Sequence, residues 1–325
     1  MQAIDLGSVV ERLRSANSFL IATHAGPDGD ALGSMFGLYH LLRGMGKEQI
    51  VCACQDPVPK RYAWLPGVDR VVDESAITGP YDLVVITDVA QLERTGSIAD
   101  CIGADQDVLV LDHHLDEAPG GTWHYVDPTY SSASEIIVAL FEESGVELTL
   151  EAAECAYVGL ATDTGGFRFS NTNPRAHTNA ITLIEAGIDV GAISARVFDV
   201  ISVPKSKLLC VVLDRLEISA CGRFAHSTLT PEDMVSAGAT GEDVDGLVNF
   251  TRNIEGVQVG VLFRGLQEDT VKVSMRSLGG FNSASLLKRF GGGGHAGAAG
   301  AELKMNLESA QRAIVNSVRE RLASQ

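Results

Sequence analysis

Four apolar runs in the sequence each lead into a short cluster of aspartate and histidine side chains. The clusters lie at residues 23–34, 84–88, 112–114 and 161–165. Runs that are apolar on both faces are typical of strands in a parallel sheet that helices cover. Because open parallel sheets carry their ligand sites at the carboxyl ends of the strands, we expect the four clusters to converge at one edge of a sheet.

The pattern along the chain predicts an α/β protein with two domains. The first, residues 1–188, is predicted as a doubly wound parallel sheet with strands at residues 19–23, 50–54, 82–87 and 108–111. Apolar spacings of three and four predict its helices at residues 8–15, 31–45, 134–143, 151–161 and 174–186. A helical linker at residues 189–204 leads to a smaller mixed α/β domain, residues 205–325. We expect the active site in the cleft between the two domains.

The second domain is predicted from a change of pattern after residue 215. Residues 216–219 and 223–228 flank a Cys-Gly pair as a hairpin, and further strands are predicted at 257–263 and 271–275. A helix at 282–290 leads into a glycine-rich run. An amphipathic helix at 306–322 is predicted to end the domain.

Composition limits the kind of protein that this chain can be. Its 325 residues are 45% hydrophobic, which is enough for two cores. A formal net charge of −17 argues against tight binding to long nucleic acid, since that binding depends on Lys and Arg contacts to phosphates. The six cysteines are scattered, so we expect reduced thiols and no zinc site. No run approaches the ~18 apolar residues of a membrane span, and we expect a cytoplasmic protein with no membrane partner.

The residues within the clusters point to a known family. The first contains His-Ala-Gly-Pro-Asp-Gly-Asp at residues 24–30, and the third is Asp-His-His at 112–114. The four clusters resemble the four motifs of the DHH phosphoesterase family. The run Gly-Gly-Gly-Gly-His-Ala-Gly-Ala-Ala-Gly at residues 291–300 resembles the signature of the DHHA1 domain that accompanies them. The resemblance extends from about residue 19 to about residue 300. It is greatest with stand-alone oligoribonucleases that also act as phosphatases on 3′-phosphoadenosine 5′-phosphate (pAp).

The resemblance implies a centre of two divalent metal ions that share one carboxylate. One ion would be held by His24, Asp28 and Asp88, and the other by Asp30, Asp88, His113 and Asp163. Oxygen ligands mixed with imidazole suit Mn²⁺, and Mg²⁺ or Co²⁺ would also be tolerated. The four carboxylates balance the charge of two divalent ions. Bound metal lowers the pKa of water toward about 7, which makes hydroxide available to attack phosphorus at neutral pH.

Residues beside the ligands are assigned supporting roles. Asp112 is predicted to orient His113 by a hydrogen bond. His114 would face the substrate, where it stabilises a phosphate oxygen or donates a proton to the leaving group. Asp30 is expected to begin the following helix, where a carboxylate is favoured. Ser132 is predicted to cap a later helix.

Three further side chains near the clusters have two possible roles each. Arg94 would pair with phosphate as a fork, or form a surface ion pair with Glu93 or Asp100. Phe167 and Phe169 would each offer a stacking face to a base or belong to the core. The sequence leaves these alternatives open.

The second domain is predicted to bind a nucleotide. Residues 252–290 contain six basic and three acidic side chains, a local net charge of +3 in a chain of −17. The resemblance to DHHA1 assigns substrate binding to Arg276, Ser277, Gly293, Gly294 and His295. Glycines let backbone N–H groups approach a phosphate closely. The glycine run lacks the Lys-Ser or Lys-Thr of a P-loop.

These features predict a Mn²⁺-dependent phosphoesterase. We expect it to degrade very short RNA as an exonuclease of either polarity and to hydrolyse pAp in the same site. Its partners would be short RNA oligonucleotides and nucleotide phosphates, and a homodimer is an assembly that the prediction allows. Activity should fall beyond about five nucleotides, since a binding groove covers only about 4–16 nucleotides per module.

Three other functions are considered beside this one. A cyclic or linear dinucleotide phosphodiesterase would use the same metal site. An inorganic pyrophosphatase would share the Asp-His-His triplet, but the run at residues 291–300 argues against it. A metal-bound nucleotide sensor without hydrolysis is the third, and the complete ligand set with His114 argues against it.

Overall fold

A computed structural model of the chain describes residues 2–114, 119–267 and 269–323. The chain divides into two units, Met1–Val200 and Ile201–Gln325. Their division falls inside residues 189–204, which the sequence pattern predicted as a linker. The side chains of Gln267 and His295 lie outside the described part.

The first unit is built on a seven-stranded parallel sheet. Its strands are β1 Gln2–Ala3, β2 Ser18–Ala22, β3 Gln49–Ala53, β4 Val71–Val72, β5 Leu83–Thr87, β6 Val108–Asp112 and β7 Trp123–Val126. They lie in the order β1-β7-β6-β5-β2-β3-β4, and every pair is parallel. The four predicted strands are confirmed as β2, β3, β5 and β6. The strands β1, β4 and β7 were not predicted, because β1 and β4 have two residues each and the residues around Trp123 form no long apolar run.

Helices cover one face of this sheet. They are α1 Leu6–Ser15, α2 Gly29–Gly44, α3 Ala133–Ser144, α4 Leu150–Asp163, α5 Pro174–Glu185 and α6 Val190–Ser194. The core between sheet and helices contains Phe19, Ile21 and Leu109, all fully buried. On the other face, buried residues such as Val84 and Ile86 pack against the 3₁₀ segment Leu92–Cys101. The central strands are therefore buried on both faces, as their uninterrupted apolar runs predicted.

The second unit is a smaller mixed sheet with helices. Its elements are α7 Val203–Asp214, β8 Glu217–Ile218, β9 Phe224–Leu229, α8 Pro231–Ala237, α9 Val248–Arg252, β10 Val259–Gln267, β11 Thr270–Ser277, α10 Ser283–Leu287, β12 Gly293–His295, β13 Ala298–Leu303 and α11 Leu307–Ala323. The order is β12-β13-β11-β10-β9-β8. The strands β9 and β10 run parallel, and the other pairs among the described residues are antiparallel. The predicted hairpin is confirmed as β8 and β9. The glycine run forms the edge hairpin β12–β13.

None of the described helices combines the length and the apolar character needed to cross a membrane.

Candidate metal centre

The predicted ligands meet at the centre of the first sheet. His24 follows β2, Asp88 follows β5 and His113 follows β6, and these three strands are neighbours in the sheet. From β2 the chain continues outward on one side through β3 and β4, and from β5 it continues on the other side through β6 and β7. The sheet order therefore reverses between β2 and β5. Such a reversal opens a crevice at the carboxyl ends of the strands, where ligands bind.

Asp88 lies between two imidazole rings. Its Oδ2 is 3.5 Å from His24 Nε2, and its Oδ1 is 3.5 Å from His113 Nε2. The residue has a φ of 60°, and among the described residues other than glycine only Asp88 and Phe167 have a positive φ. A left-handed backbone at a non-glycine residue is unfavourable, and it persists where the surroundings hold it for function. Here the Asp88 backbone N–H donates to Leu111 O of the neighbouring strand.

Asp28, not Asp30, caps helix α2, which corrects the prediction. The helix begins at Gly29, two residues before the predicted start at residue 31, and the Asp28 carboxylate accepts hydrogen bonds from the backbone N–H groups of Asp30 and Ala31. Because the cap already lies at Asp28, the Asp30 side chain is released for another position. Asp28 Oδ1 lies 4.0 Å from His24 Nε2.

The Asp30 carboxylate instead lies at the N-terminus of helix α3. Its two oxygens accept hydrogen bonds from the backbone N–H groups of Ala133 at 2.6 Å and Ser134 at 2.9 Å. The positive end of the α3 dipole favours a carboxylate there. Asp30 Oδ2 is also 3.7 Å from His113 Nε2. Ser132 caps α3 through the Glu135 backbone N–H, as predicted.

Asp163 ends helix α4 and completes the cluster. Its Oδ2 is 3.5 Å from His113 Nε2. The Asn171 side-chain amide donates to the Asp163 backbone carbonyl at 3.1 Å, to Asp163 Oδ2 at 3.4 Å and to Ser131 O at 3.0 Å. Asn171 therefore ties the end of α4 to the segment before α3. This role of Asn171 was not predicted from the sequence, because only the fold brings Ser131 and Asp163 together.

The spacing of the donor atoms is better suited to binding divalent cations than to hydrogen bonds between these side chains. His24, Asp28 and Asp88 form one group and Asp30, His113 and Asp163 another, each with donor atoms within 4.8 Å of one another. The separations of 3.5–4.0 Å exceed hydrogen-bond distances. Ligands about 2.1 Å from one ion lie about 3.0–3.5 Å apart, depending on coordination angle. Asp88 Oδ1 and His113 Nε2 are buried and form no hydrogen bond with described residues. Such atoms fit a metal ion between them.

The buried carboxylates and imidazoles of the metal-free cluster lie close together, and this changes their pKa values. Burial would lower the pKa of His24 and of His113, but the negative charge of the Asp88 carboxylate beside both rings outweighs burial and raises these pKa values to about 9 and about 10. Burial raises the pKa of Asp163 to about 7, and the Asp88 charge adds to the effect. Burial, with the charges of Asp88 and Asp163, also raises the pKa of Asp30 well above its usual value. Without a bound cation, the cluster therefore binds protons, which offset the negative charge of its carboxylates.

Asp112 orients His114 rather than the ring of His113, which corrects a second prediction. The fully buried Asp112 accepts hydrogen bonds at Oδ1 from His114 Nδ1 at 2.8 Å and from the His113 backbone N–H at 2.8 Å. The chain turns immediately after β6, so this side chain caps the next backbone groups and reaches the ring two positions on. Burial would lower the pKa of His114, and the hydrogen bond and charge of Asp112 raise it.

Arg94 and Phe167 have different surroundings from the metal ligands. Arg94 is exposed, its carbonyl accepts from the Ala25 backbone N–H at 2.7 Å, and it forms no ion pair with Glu93 or Asp100. The surface ion pair is therefore wrong, and the contact to phosphate stays a prediction. Phe167 packs against Tyr157 and stacks on His177 with centroids 5.2 Å apart, so it belongs to the core.

The substrate-binding residues predicted in the second unit lie near its glycine hairpin. Arg276 and Ser277 end β11, Arg276 pairs with Ala298 of β13, and Gly294 pairs with Ala299. The buried Ser277 hydroxyl lies 2.6 Å from Phe281 O and 3.1 Å from Ala296 O, and the Ser277 backbone N–H donates to Gly297 O, so Ser277 supports the turn between β12 and β13. Any side chain at Gly294 would meet Ala298 O at 2.6 Å. Gly293 and His295 bound β12, and the role of the His295 side chain stays a prediction.

Family comparisons agree with these two units. The DHH family N-terminal domain matches residues 18–160, and the DHHA1 domain matches residues 222–324. The chain is 36% identical over 306 residues to the bifunctional oligoribonuclease and PAP phosphatase NrnA of Thermus thermophilus, covering 93% of this chain and 89% of that protein. It is 31% identical over 291 residues to the protein of the same name from Bacillus subtilis, covering 88% and 90%.

A solved structure has the same fold. The exopolyphosphatase-related protein from Bacteroides fragilis superimposes with a TM-score of 0.90 at 27% identity, over 97% of this chain and 95% of that one. The sequence matches and this superposition each span nearly the whole chain. The chain therefore belongs to the DHH family and combines a DHH domain with a DHHA1 domain.

Proposed function

We propose that this protein is a metal-dependent phosphoesterase that hydrolyses short oligoribonucleotides and pAp. The observation that carries the proposal is the position of Asp88 between His24 and His113, with one carboxylate oxygen toward each ring. The relatives named as oligoribonucleases and PAP phosphatases, 31–36% identical over most of the chain, support this substrate class. A phosphoesterase needs cationic groups around a phosphate, and this donor set is suited to supply them.

We assign the two groups of donors to two divalent ions, with Mn²⁺ preferred. His24, Asp28 and Asp88 would hold one ion, and Asp30, Asp88, His113 and Asp163 the other. Bound divalent ions supply Lewis acidity, which lowers the pKa of water and neutralises charge on a phosphate. Asn171 and the N-terminus of α3 keep Asp163 and Asp30 in place for this purpose.

His114 is assigned to the substrate. Asp112 holds this ring at Nδ1, so Nε2 is the atom that we assign to a phosphate oxygen or to the leaving group. The raised pKa of His114 keeps a proton available for donation near neutral pH. Arg94, exposed on the segment after Asp88, is proposed to contact a phosphate as well.

The second unit is proposed to bind the nucleotide through Arg276, Ser277, Gly293, Gly294 and His295. Burial lowers the pKa of Arg276, the positive charge of Arg252 on α9 adds to the effect, and the charge of Asp245 opposes it. An anionic ligand would relieve that repulsion. A cleft between the domains, a cytoplasmic location and a homodimer stay predictions.

The test is hydrolysis of four substrates by metal-stripped protein with Mn²⁺ restored. These are a 5′-labelled RNA ladder, pAp, a cyclic dinucleotide and pyrophosphate. Mn²⁺-dependent release of mononucleotides from the shortest RNAs, with phosphate from pAp, is expected. Turnover of only the cyclic dinucleotide or of pyrophosphate would contradict the proposal. An Asp28→Ala, Asp30→Ala double variant should lose turnover, whereas a sensor without hydrolysis would have none to lose.

A dinucleotide phosphodiesterase is the second candidate. The chain is 25% identical over 319 residues to the cyclic-di-AMP phosphodiesterase GdpP of Geobacillus thermodenitrificans, covering 90% of this chain but 46% of that protein. The lower identity makes this function secondary. Hydrolysis of the cyclic dinucleotide at a higher kcat/KM than pAp and the RNA ladder would favour it.

A further inference from the structure

The loop after helix α4 has a fixed conformation beside the metal centre. The Gly166 backbone N–H donates to Ala161 O at 2.7 Å, and the N–H groups of Arg168 and Phe169 both donate to Thr164 O at 2.9 Å. Thr164 is fully buried. These bonds return the chain onto the end of α4, so residues 165–169 stay close to Asp163.

The two phenylalanines of this loop have opposite environments. Phe167 packs against Tyr157 and His177, whereas the Phe169 side chain is 52% exposed. The Phe169 ring lies against the backbone of Gly165, where an added Cβ would come within 2.5 Å of ring atom Cε1. Gly165 also has a φ of 60°, which favours glycine. The backbone beneath the ring thus supports it from one side, and much of the ring faces solvent.

The exposed Phe169 ring lies near Asp163, one of the proposed metal ligands. A single exposed apolar side chain is ordinary on a protein surface. This ring, however, rests on Gly165, whose Cα lies at most about 7.6 Å from that of Asp163, because consecutive Cα atoms are about 3.8 Å apart. An aromatic face this close to a phosphate-cleaving centre is within reach of the base of a bound nucleotide. Base–aromatic stacking tolerates any base, because every base has a π-face.

Arg168 adds a positive charge at the same place. Its Nε donates to Gly165 O, which anchors the base of the guanidinium group on the residue that supports Phe169. The side chain is exposed, and its two terminal nitrogens form no hydrogen bond or ion pair with any described residue. A guanidinium held at Nε still has four N–H donors for a phosphate oxygen.

We propose that Arg168 and Phe169 form a nucleotide-binding subsite beside the metal centre. The Phe169 ring stacks on the base, and the terminal nitrogens of Arg168 contact a phosphate of the same nucleotide. The subsite rests on the proposed function, and it explains how a centre that acts on phosphates would select nucleotides among phosphate esters.

The test of Phe169 compares pAp with an abasic analogue that keeps its sugar and both phosphates. Phe169→Ala should raise KM for pAp by about 5- to 150-fold and leave KM for the analogue unchanged, because only pAp has a base to stack. Phe169→Tyr keeps an aromatic face and should retain most of the affinity for pAp. Phe198→Ala, which removes another exposed phenylalanine of the same unit, is the matched control and should behave as the unaltered protein.

The test of Arg168 uses the same two substrates. Arg168→Gln should raise KM by about 10-fold or more for both, because both have phosphates. The control is Arg70→Gln, which removes an exposed arginine paired with Asp69. Circular dichroism should give the same melting temperature for all variants, since both target side chains are exposed.

The outcomes separate this subsite from the proposed function. No Mn²⁺-dependent turnover of pAp or short RNA by the unaltered protein would overturn both. Turnover of pAp with no change of KM in Phe169→Ala, or an equal change for pAp and the analogue, would overturn the subsite alone.

Discussion

At the scale of single residues, the proposed metal centre is organised around Asp88. Its left-handed backbone aims one oxygen toward each of two imidazoles that follow neighbouring strands. Without a cation, the rings of His24 and His113 hold protons that offset the aspartates. The same side chains that would bind metal therefore bind protons in its absence, and the two equilibria are linked.

Metal binding should release protons. With pKa values of about 9 and about 10, His24 and His113 are protonated at pH 7 in the metal-free protein, and ligation requires neutral rings. We expect at least two protons to be released per centre filled at pH 7, because the raised pKa values of Asp163 and Asp30 add carboxyl protons to those of the two imidazoles, and fewer as pH rises toward about 10. Calorimetric titration with Mn²⁺ in two buffers of different ionisation enthalpy measures this number. His24→Asn should release about one proton fewer, and a heat independent of the buffer would contradict the prediction.

Asp112 should affect turnover more than metal affinity. Asp112→Asn keeps the shape of the side chain but removes the charge that holds His114, while the Nε2 contacts of His113 do not involve it. We expect kcat to fall by about 10- to 100-fold with little change in Mn²⁺ affinity. Asp82→Asn is the matched control, because that carboxylate binds backbone N–H groups at the opposite end of β5. A loss of Mn²⁺ affinity with unchanged kcat would show that Asp112 supports the ligands instead.

At the scale of elements, glycines allow three helices to approach closely enough to build the site. Gly29 and Gly33 of α2 face α4, where a Cβ on Gly33 would come within 2.5 Å of Cys155 O. A Cβ on Gly159 of α4 would come within 2.5 Å of Asp30 Oδ1 and would overlap Ser134 Oγ. Asp30 thus occupies space left by a missing side chain on another helix. Close packing thus makes a glycine of α4 a determinant of the position of Asp30, a residue far from it in sequence.

Gly159→Ala should damage the metal centre from within the core. The added methyl group would push α4 away from Asp30 and α3, which we expect to lower the free energy of unfolding by about 1–3 kcal/mol. Because Asp163 ends the same helix, Mn²⁺ affinity should also fall by about tenfold or more.

Gly191→Ala provides the comparison for this variant. Gly191 also lies in a helix, but a methyl group added there would lie 3.4 Å from its nearest neighbour, Asp189 Oδ1. Alanine there should be neutral or stabilise the protein by up to about 1 kcal/mol through helix propensity. Urea denaturation and Mn²⁺ titration measure both variants. Equal behaviour of the two would refute the packing argument.

At the scale of the whole molecule, charge is distributed unevenly. The chain has a net charge of −17, yet residues 252–290 carry +3. A short anionic substrate can use a local positive region, whereas a long RNA must also lie along acidic surface. The charge distribution therefore favours short substrates independently of any steric limit.

Rates should depend on RNA length and on salt. We expect kcat/KM to fall steeply beyond about five nucleotides and to be very low for a thirty-mer. If repulsion contributes, raising monovalent salt should reduce the difference between a dinucleotide and the thirty-mer, because the Debye length shortens from about 10 Å at 0.1 M to about 3 Å at 1 M. A ratio that does not change with salt would assign the limit to steric walls. Equal rates on both RNAs would contradict the length prediction itself.

The convergence of the proposed metal ligands could be anticipated from the sequence because their signals are local. His24, Asp88 and His113 each follow a buried strand, and the parallel arrangement of β2, β5 and β6 is visible in their apolar runs. Asn171, Gly159 and the bond from Asp112 to His114 were not anticipated. Each depends on a distance between segments far apart in the chain, or on the way a turn directs one side chain.

The sequence by itself therefore determined the family, the α/β architecture and the set of acidic and imidazole donors, because burial on both strand faces and the spacing of the motifs are properties of local sequence. Only the tertiary structure decided which carboxylate caps α2, which one lies at the N-terminus of α3, and which phenylalanine is exposed beside Asp163. Those choices follow from packing between helices and from competition among neighbours for the same hydrogen-bond donors. Neither is encoded at any single position of the chain.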